Sequence, residues 1–391
     1  MLRVAADVTP LLIPQTGIGV FVAEMLDHVA AADGVELTGY AVTWRGRDRV
    51  ASAVPPRVQV ADGPWTGVVP MAARPLHQLW MRSDHPRIDH WIGHQDVVWG
   101  TNYVVPPTRA RGQLVSVYDM TPVRFPQLAN EHTRTFPGLV RRALRRGAWI
   151  HTMSRFVRDE IVEHFAADPD RVRVVPGGIR ATPPGDPAPG WKLAGGDRYV
   201  LALGTVEPRK DLPTLVAAFD AVAADDPDLR LVIAGADGWG AEALAATIDR
   251  AAHRDRIVRL GWVDEADRPA LMRAAAVYAY PSVYEGFGLP PLEAMTAGVP
   301  VVATATGSLP EVCGDGADLV PVGDADALAV ALTTILGDER HRQDLVQRGR
   351  TVAARYSWSQ ASDQFVQLLT DVAGTDRAGR TIGGRPGSPL M

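Results

Sequence analysis

Two cations and two carboxylates stand on loops that follow short apolar runs, and together they suit a ligand carrying both phosphate and hydroxyl groups. Arg209 and Lys210 lie in Gly204–Asp211, GTVEPRKD, directly after the run Tyr199–Leu203. Glu285 and Glu293 lie in Pro281–Val302, PSVYEGFGLPPLEAMTAGVPVV, after the run Val277–Tyr280. Runs of this kind read as buried strands, and ligands of open α/β sheets bind at their carboxyl ends. A guanidinium and an ammonium placed there neutralise a departing diphosphate. Gly286, Phe287, Gly288 and Leu289 lead into a helix, where glycine backbone and the helix N-terminus favour an anion. The carboxylates need a different target: sugar hydroxyls for Glu285 and a ribose for Glu293. A nucleotide sugar offers all of these.

The elements that position these groups alternate. Pro290-Pro291 opens a helix that runs to Ala297, and Gly298 closes it. Pro300 marks the entry to a strand at Val301–Thr304. Strands are also expected at Leu2–Ala6, Val35–Thr43, Gln113–Tyr118, Trp149–Met153, Arg171–Val175, Leu229–Ala234 and Ile257–Leu260. Helices are expected from Ser154 to Phe165, near Leu212, Ala241 and Ala266, and over Asp324–Gly337, Glu339–Arg355 and Trp358–Val372. After the first strand, a loop at Asp7–Thr16 reaches Gly17-Ile18-Gly19, which opens a helix over Val20–Ala32. That layout is either a phosphate-approaching turn or a simple tight turn. Asp119, at the end of Gln113–Tyr118, is either a site residue or a turn former. Residues 33–95, with Trp65, Trp80 and Trp91, carry little pattern. Ala181–Gly196 is a linker by composition. The fold class is α/β, with two doubly wound, Rossmann-like domains facing across a cleft.

The glutamate pair with its surrounding EGFGLP…EAM…G-V-P resembles the retaining glycosyltransferases of family 4, whose fold is GT-B. The resemblance extends over nearly all of residues 1–372, more strongly after Val200. It implies an N-terminal acceptor-binding domain at 1–180, a linker at 181–197 and a nucleotide-sugar-binding domain at 198–355. A crossover helix at 356–373 and a disordered Gly-, Arg- and Pro-rich tail at 374–391 complete that division. It implies donor contacts at Gly17, Gly19, Thr205, Arg209, Lys210, Gly261, Val263, Glu285, Gly286, Phe287, Gly288, Leu289 and Glu293. Gly261-Trp262-Val263 resembles the turn whose main chain meets the base, and Gly307-Ser308 a loop near ribose and sugar. The groups expected to act on the reaction are Glu285, Asp119, Arg209 and Lys210. No nucleophile is evident, so the resemblance implies attack from the leaving face, helped by the departing phosphate.

Two positions depart from the family's pattern. Tyr118 stands where relatives often carry His, which puts a His-based role in doubt. Thr205 stands where many carry Arg, so the phosphate falls to Arg209 and Lys210. The GTxEPRK form resembles a subgroup for which GDP-mannose is the expected donor. Neither a cofactor nor a metal is expected: Asp168-Pro169-Asp170 and Asp226-Pro227-Asp228 read as turns, and Asp324-Ala325-Asp326 as a helix start. A nucleotide-sugar epimerase on the same scaffold, or a non-catalytic nucleotide-sugar binder, stand as alternatives.

Composition narrows the remainder. A length of 391 residues, 46% of them hydrophobic, accommodates two cores. The one cysteine, Cys313, excludes an internal disulfide and suits a reducing cytoplasm. No run of about 18 apolar residues is present, and the N-terminus does not read as a signal peptide. The net charge of −5 is uneven: residues 1–180 carry 21 Lys and Arg against 17 Asp and Glu, the rest 19 against 28. The basic half could face a phosphorylated acceptor or an anionic surface. Arg141, Arg142, Arg145 and Arg146 share a predicted helix, either as a solvated face or as a contact for anionic lipid at the inner face of the membrane. His90 and His94 could share a helix face, for which a core or solvated helix is the better account than a metal pair. Glycan, lipid-linked and small-molecule acceptors stay open. Nucleic acid is not an expected partner.

Overall fold

The computed structural model describes residues 1–12, 17–60, 66–129 and 133–374. They divide into two α/β units: Met1–Gly178 together with the segment from Ser357, and Ile179–Tyr356.

The first unit holds strands β1 (Leu2–Asp7), β2 (Val35–Val42), β3 (Gln59–Val60), β4 (Val68–Val69), β5 (Val97–Gly100), β6 (Gly112–Ser116), β7 (Trp149–Thr152) and β8 (Val172–Val174). They pair in parallel in the order β3-β2-β1-β5-β6-β7-β8, with β4 beside β2. Parallel sheets are covered on both faces, so their central strands carry side chains that tolerate burial throughout. Every residue of β5, β6 and β7 is buried. Of the buried polar side chains on these strands, Ser116 and His151 satisfy one another, while Gln113 Oε1 and Thr152 Oγ1 have no hydrogen-bond partner among the described residues. Trp99 Nε1 donates to Ser116 Oγ at 2.9 Å, Ser116 Oγ lies 2.9 Å from His151 Nδ1, and His151 Nε2 lies 2.9 Å from the Val175 carbonyl. The carbonyl can only accept, so Nε2 carries the proton and Nδ1 accepts from the serine.

Burial pushes the His151 imidazole down to about 4, with the Val175 carbonyl opposing. In the unfolded chain it takes up a proton near 6.5. The unfolded state therefore binds more protons between pH 6.5 and about 4, and stability falls as pH drops through that window. The full difference is worth about 3 kcal/mol. Urea titrations at pH 7 and pH 5 should show the loss in the parent protein and a smaller one in His151→Gln.

The helix Trp358–Gly374 completes this unit. Phe365 packs with its ring centroid 4.5 Å from Trp99 and 5.0 Å from His151. Gly112 lies so close that a Cβ there would sit 2.6 Å from Val372 Cγ1.

The second unit holds β9 (Tyr199–Leu203), β10 (Arg230–Ala234), β11 (Ile257–Gly261), β12 (Val277–Tyr280), β13 (Val301–Thr304) and β14 (Asp318–Val320). Their order is β11-β10-β9-β12-β13-β14, all parallel. From β9 the chain winds outward through β10 and β11, then returns to place β12 on the other side of β9. The β9–β12 boundary is therefore the topological switch point, where the loops after neighbouring strands part and leave room for a ligand.

Several sequence expectations shift. The stretch 181–197, read as a linker, carries the helix Ala188–Ala194 and belongs to the second unit. Gly190 of that helix abuts the Ala270 carbonyl, which a Cβ would approach to 2.4 Å. The helix after the first loop starts at Gly17, not Val20, and runs to Ala30. Strands β3, β4, β5 and β14 were not expected. The tail beyond Gly374 and the loop residues 13–16 lie outside the described residues, as does Trp65.

Candidate active site

The second unit gathers its charged groups at the switch point. After β9 the chain passes through Gly204 and a short turn, Pro208–Lys210, into the helix Leu212–Ala223. After β12 it passes through Pro281–Gly288 into the helix Leu289–Thr296. The two loops are tied together: the Val283 N–H donates to the Arg209 carbonyl at 2.8 Å, and Arg209 Nη1 donates to the Tyr284 carbonyl at 2.9 Å. Glu285 is buried between the two cations. Its Oε2 lies 2.7 Å from Arg209 Nη1 and its Oε1 2.7 Å from Lys210 Nζ. Lys210 also donates to the Tyr280 hydroxyl at 2.6 Å and sits over that ring.

Electrostatics follow from this packing. Burial alone would raise the Glu285 carboxyl, but the Arg209 and Lys210 charges outweigh it and hold the group down at about 2. Burial lowers the Lys210 ammonium, against the opposing pull of Glu285. The site thus keeps a carboxylate and two cations in a nearly dry pocket, where charge–charge effects are strong.

The Glu285 backbone is fixed from the next loop. Ser308 N–H and Ser308 Oγ both reach the Glu285 carbonyl at 3.0 Å. Gly307, at φ +58°, passes so close that a Cβ would lie 2.4 Å from that carbonyl oxygen. Gly286, Phe287 and Gly288 are buried beside it, and Gly288 adopts φ +104° to start the helix at Leu289. Glu293 lies one turn into this helix and pairs closely with Arg268. Burial nevertheless pushes its carboxyl up, against the Arg268 charge. Gly261 ends β11 at φ +67°, with Trp262 exposed and Val263 half-buried beyond it. Thr205 is exposed in the loop before Arg209. Tyr280 and Arg268 were not anticipated as partners, because each looks like an ordinary strand or helix residue.

The candidates of the first unit hold different positions. Gly17 is exposed at the start of its helix and Gly19 is buried two residues later. Tyr118 is buried, and its hydroxyl donates to the Thr101 carbonyl at 2.6 Å. Burial raises its phenol well above the ordinary range. Its hydroxyl is committed to the fold, so it does not stand in for a histidine base. Asp119 starts a turn: its Oδ1 accepts from the Thr121 N–H at 2.8 Å, and its backbone exchanges hydrogen bonds with the Tyr103 hydroxyl.

Comparison with known proteins decides what this arrangement belongs to. Residues 15–182 match the family model described as Glycosyltransferase Family 4, and residues 189–352 match Glycosyl transferases group 1. This chain belongs to the family 4 glycosyltransferases. It is 29% identical over 369 residues to the O-antigen chain mannosyltransferase B of Escherichia coli, covering 91% of this chain and 96% of the relative. It is 39% identical over 181 residues to the phosphatidyl-myo-inositol mannosyltransferase of Mycolicibacterium smegmatis, covering 45% of this chain and 46% of that one. Among solved structures, sucrose-phosphate synthase from Thermosynechococcus elongatus superposes with a TM-score of 0.74 at 20% identity, covering 95% of this chain and 99% of that one. The two Rossmann-like units are those of the GT-B glycosyltransferases.

In this glycosyltransferase Arg141, Arg145 and Arg146 are exposed on the helix Phe136–Arg145 and its cap, and Arg142 is not. Arg142 is buried and donates to Asp84 at 2.7 Å, and Arg146 pairs closely with the same carboxylate. Arg141 lies over the Phe165 ring. Of the two alternatives for these arginines, solvated face or lipid contact, either one has Arg142 and Arg146 already paired with Asp84. Removing one partner of a buried pair costs about 3–5 kcal/mol. Asp84 is 29% exposed, so solvent reaches the pair and Asp84→Ala should cost less than that, about 1–3 kcal/mol by urea denaturation, with nucleotide affinity unchanged. No helix among the described residues is long and apolar enough to cross a membrane.

One aspartate of each Asp-x-Asp sequence is bonded within the fold. Asp168 accepts from the Asp170 N–H, Asp226 pairs with Arg198, and Asp324 caps its helix through the Ala327 N–H. His90 and His94 do not share a helix, because the Asp89–Ile92 helix ends at Gly93, whose φ is +69°.

Proposed function

We propose that this glycosyltransferase moves mannose from GDP-mannose to a glycan or lipid-linked acceptor, with retention at the anomeric carbon and without a metal ion. The observation that carries the reading is the Arg209–Glu285–Lys210 cluster at the switch point of the second sheet. Two of the three ammonium protons of Lys210 go to Glu285 and Tyr280, which aims the group and leaves a third donor for a phosphate oxygen. Arg209 and Lys210 then take the charge that grows on the leaving diphosphate, the part a divalent cation plays elsewhere. Glu285 has two roles in this reading: it aims both cations, and it offers oxygen lone pairs to the sugar hydroxyls. Glu293 and Arg268 face the ribose. Relatives named for O-antigen chain and phosphatidyl-myo-inositol mannosyl transfer support mannose as the sugar and a glycan or lipid-linked acceptor.

A thermal-shift panel without added metal tests this directly. GDP and GDP-mannose should stabilise the protein selectively, by about 2.7 kcal/mol at a hundredfold excess over Kd. A preference for UDP sugars would remove GDP-mannose as donor. No shift with any nucleotide, from folded protein, would remove the site.

A further inference from the structure

The charges at the switch point of the second sheet cancel. Arg209 and Lys210 are matched by Glu285 and also by Glu207, whose Oε2 lies 3.6 Å from Arg209 Nη2. Two positive and two negative side chains therefore share one site, none of them more than 20% exposed. Glu285 is the tight partner of both cations. Arg209 has anchors besides Glu207, because its Nη1 meets Glu285 Oε2 at 2.7 Å and the Tyr284 carbonyl at 2.9 Å. The loop is also closed by its backbone: the Lys210 N–H donates to the Glu207 carbonyl, and the Val206 N–H to the Ala236 carbonyl, each at 3.0 Å. The charge of Glu207 reaches both cations. Burial lowers the Lys210 ammonium, and Glu207 joins Glu285 in opposing that shift. Asp211, the next acid along the chain, accepts from Thr214 Oγ1 at 2.7 Å.

A second carboxylate beside an anion site costs affinity, the more so where water screens poorly. The diphosphate of a nucleotide sugar carries two negative charges, and breaking its bond to the sugar leaves a third on the departing oxygen. Cations left unopposed would hold that product more tightly than the donor, and product release limits turnover in many enzymes. We infer that Glu207 tunes the grip of the site: its charge offsets Arg209, keeps the resting cluster near neutral and lets the freed nucleoside diphosphate leave. At 3.6 Å its contact is longer than the 2.7 Å pairs of Glu285, so it acts by its charge and not as a tight partner. This inference rests on the donor-site reading of Arg209, Lys210 and Glu285.

Titration calorimetry of the parent, Glu207→Gln and Glu207→Asp with inorganic pyrophosphate, GDP and UDP tests it. Glu207→Gln keeps the shape of the side chain and removes its charge. Pyrophosphate and the preferred nucleoside diphosphate should then bind about 10-fold more tightly, with a steeper loss of affinity as salt is added. Glu207→Asp keeps the charge and should bind as the parent does. A gain in affinity is a result that damage to the loop would not produce. Weaker binding in Glu207→Gln would show that the carboxylate holds Arg209 in place, and unchanged binding that its charge does not reach the ligand. Either result would overturn the inference, and so would an equal gain in Glu207→Asp. If none of the three ligands binds the parent or Glu207→Gln, with both shown folded by thermal unfolding, the donor site itself falls and the role of Glu207 with it.

Discussion

Lys210→Ala lowers kcat by about 10²- to 10³-fold, the usual effect of deleting one preorganised donor to a developing anion. The expectation follows from where the ammonium sits. It is buried, fixed by Glu285 and Tyr280, and needs no reorganisation as charge moves onto the leaving group. The same substitution alters Glu285. With one of its two cations gone, burial weighs more heavily and its carboxyl rises from about 2. In the parent protein that depressed value contributes about 3 kcal/mol of stability, fully present above the ordinary glutamate value near 4.5 and lost as pH falls from there toward 2. The variant should keep less of it and unfold at a higher pH. Initial rates at saturating donor, with an acid-denaturation curve alongside, check both halves. An unchanged kcat would show that Lys210 holds the fold and does not serve the reaction.

Gly307→Ala is the second large effect, and it acts without removing any functional group. The new methyl would press on the Glu285 nitrogen, carbonyl carbon and oxygen, at a φ of +58° that side chains rarely adopt. None of those atoms belongs to a flexible side chain, so the 281–288 loop has to shift. A displacement near 1 Å at a positioned group costs about 10²-fold in rate. The strained backbone and lost contact should also remove about 2–4 kcal/mol of stability. Steady-state kinetics with thermal unfolding would measure the two. Gly323, with φ +72° and open space around its Cβ position, is the comparison site: Gly323→Ala carries the backbone strain without the collision.

The sequence was most readable where one segment carries its own signal. The apolar runs of β9, β12 and β13 and the helix after Pro290-Pro291 needed nothing from elsewhere. Arg209, Lys210 and Glu285 could be paired because each loop joins a clear strand to a clear helix. What stayed hidden depends on distant partners. Val97–Gly100 is a central strand of the first sheet, yet it is four residues long and follows a segment without periodicity. The Ala188–Ala194 helix lies in Pro- and Gly-rich sequence and is held by packing on the Arg268–Arg273 helix. Four arginines looked like a charged face because their anchor, Asp84, lies 58 residues from Arg142. Tyr118 kept its hydroxyl, but only the structure places it on the Thr101 carbonyl.

The placement of the Trp358–Gly374 helix sets an order of assembly during synthesis. The second unit is an uninterrupted stretch, 179–356, so all of its core leaves the ribosome together. The first unit needs Phe365 against Trp99 and Val372 against Gly112, and these residues emerge only after the whole second unit has been made. Domains ordinarily mature from the N-terminus onward during translation. Here the unit encoded first is finished last, and its β5–β6 surface stays uncovered until the final helix arrives. A chain stopped at residue 356 would leave the second unit intact in sequence and the first one open.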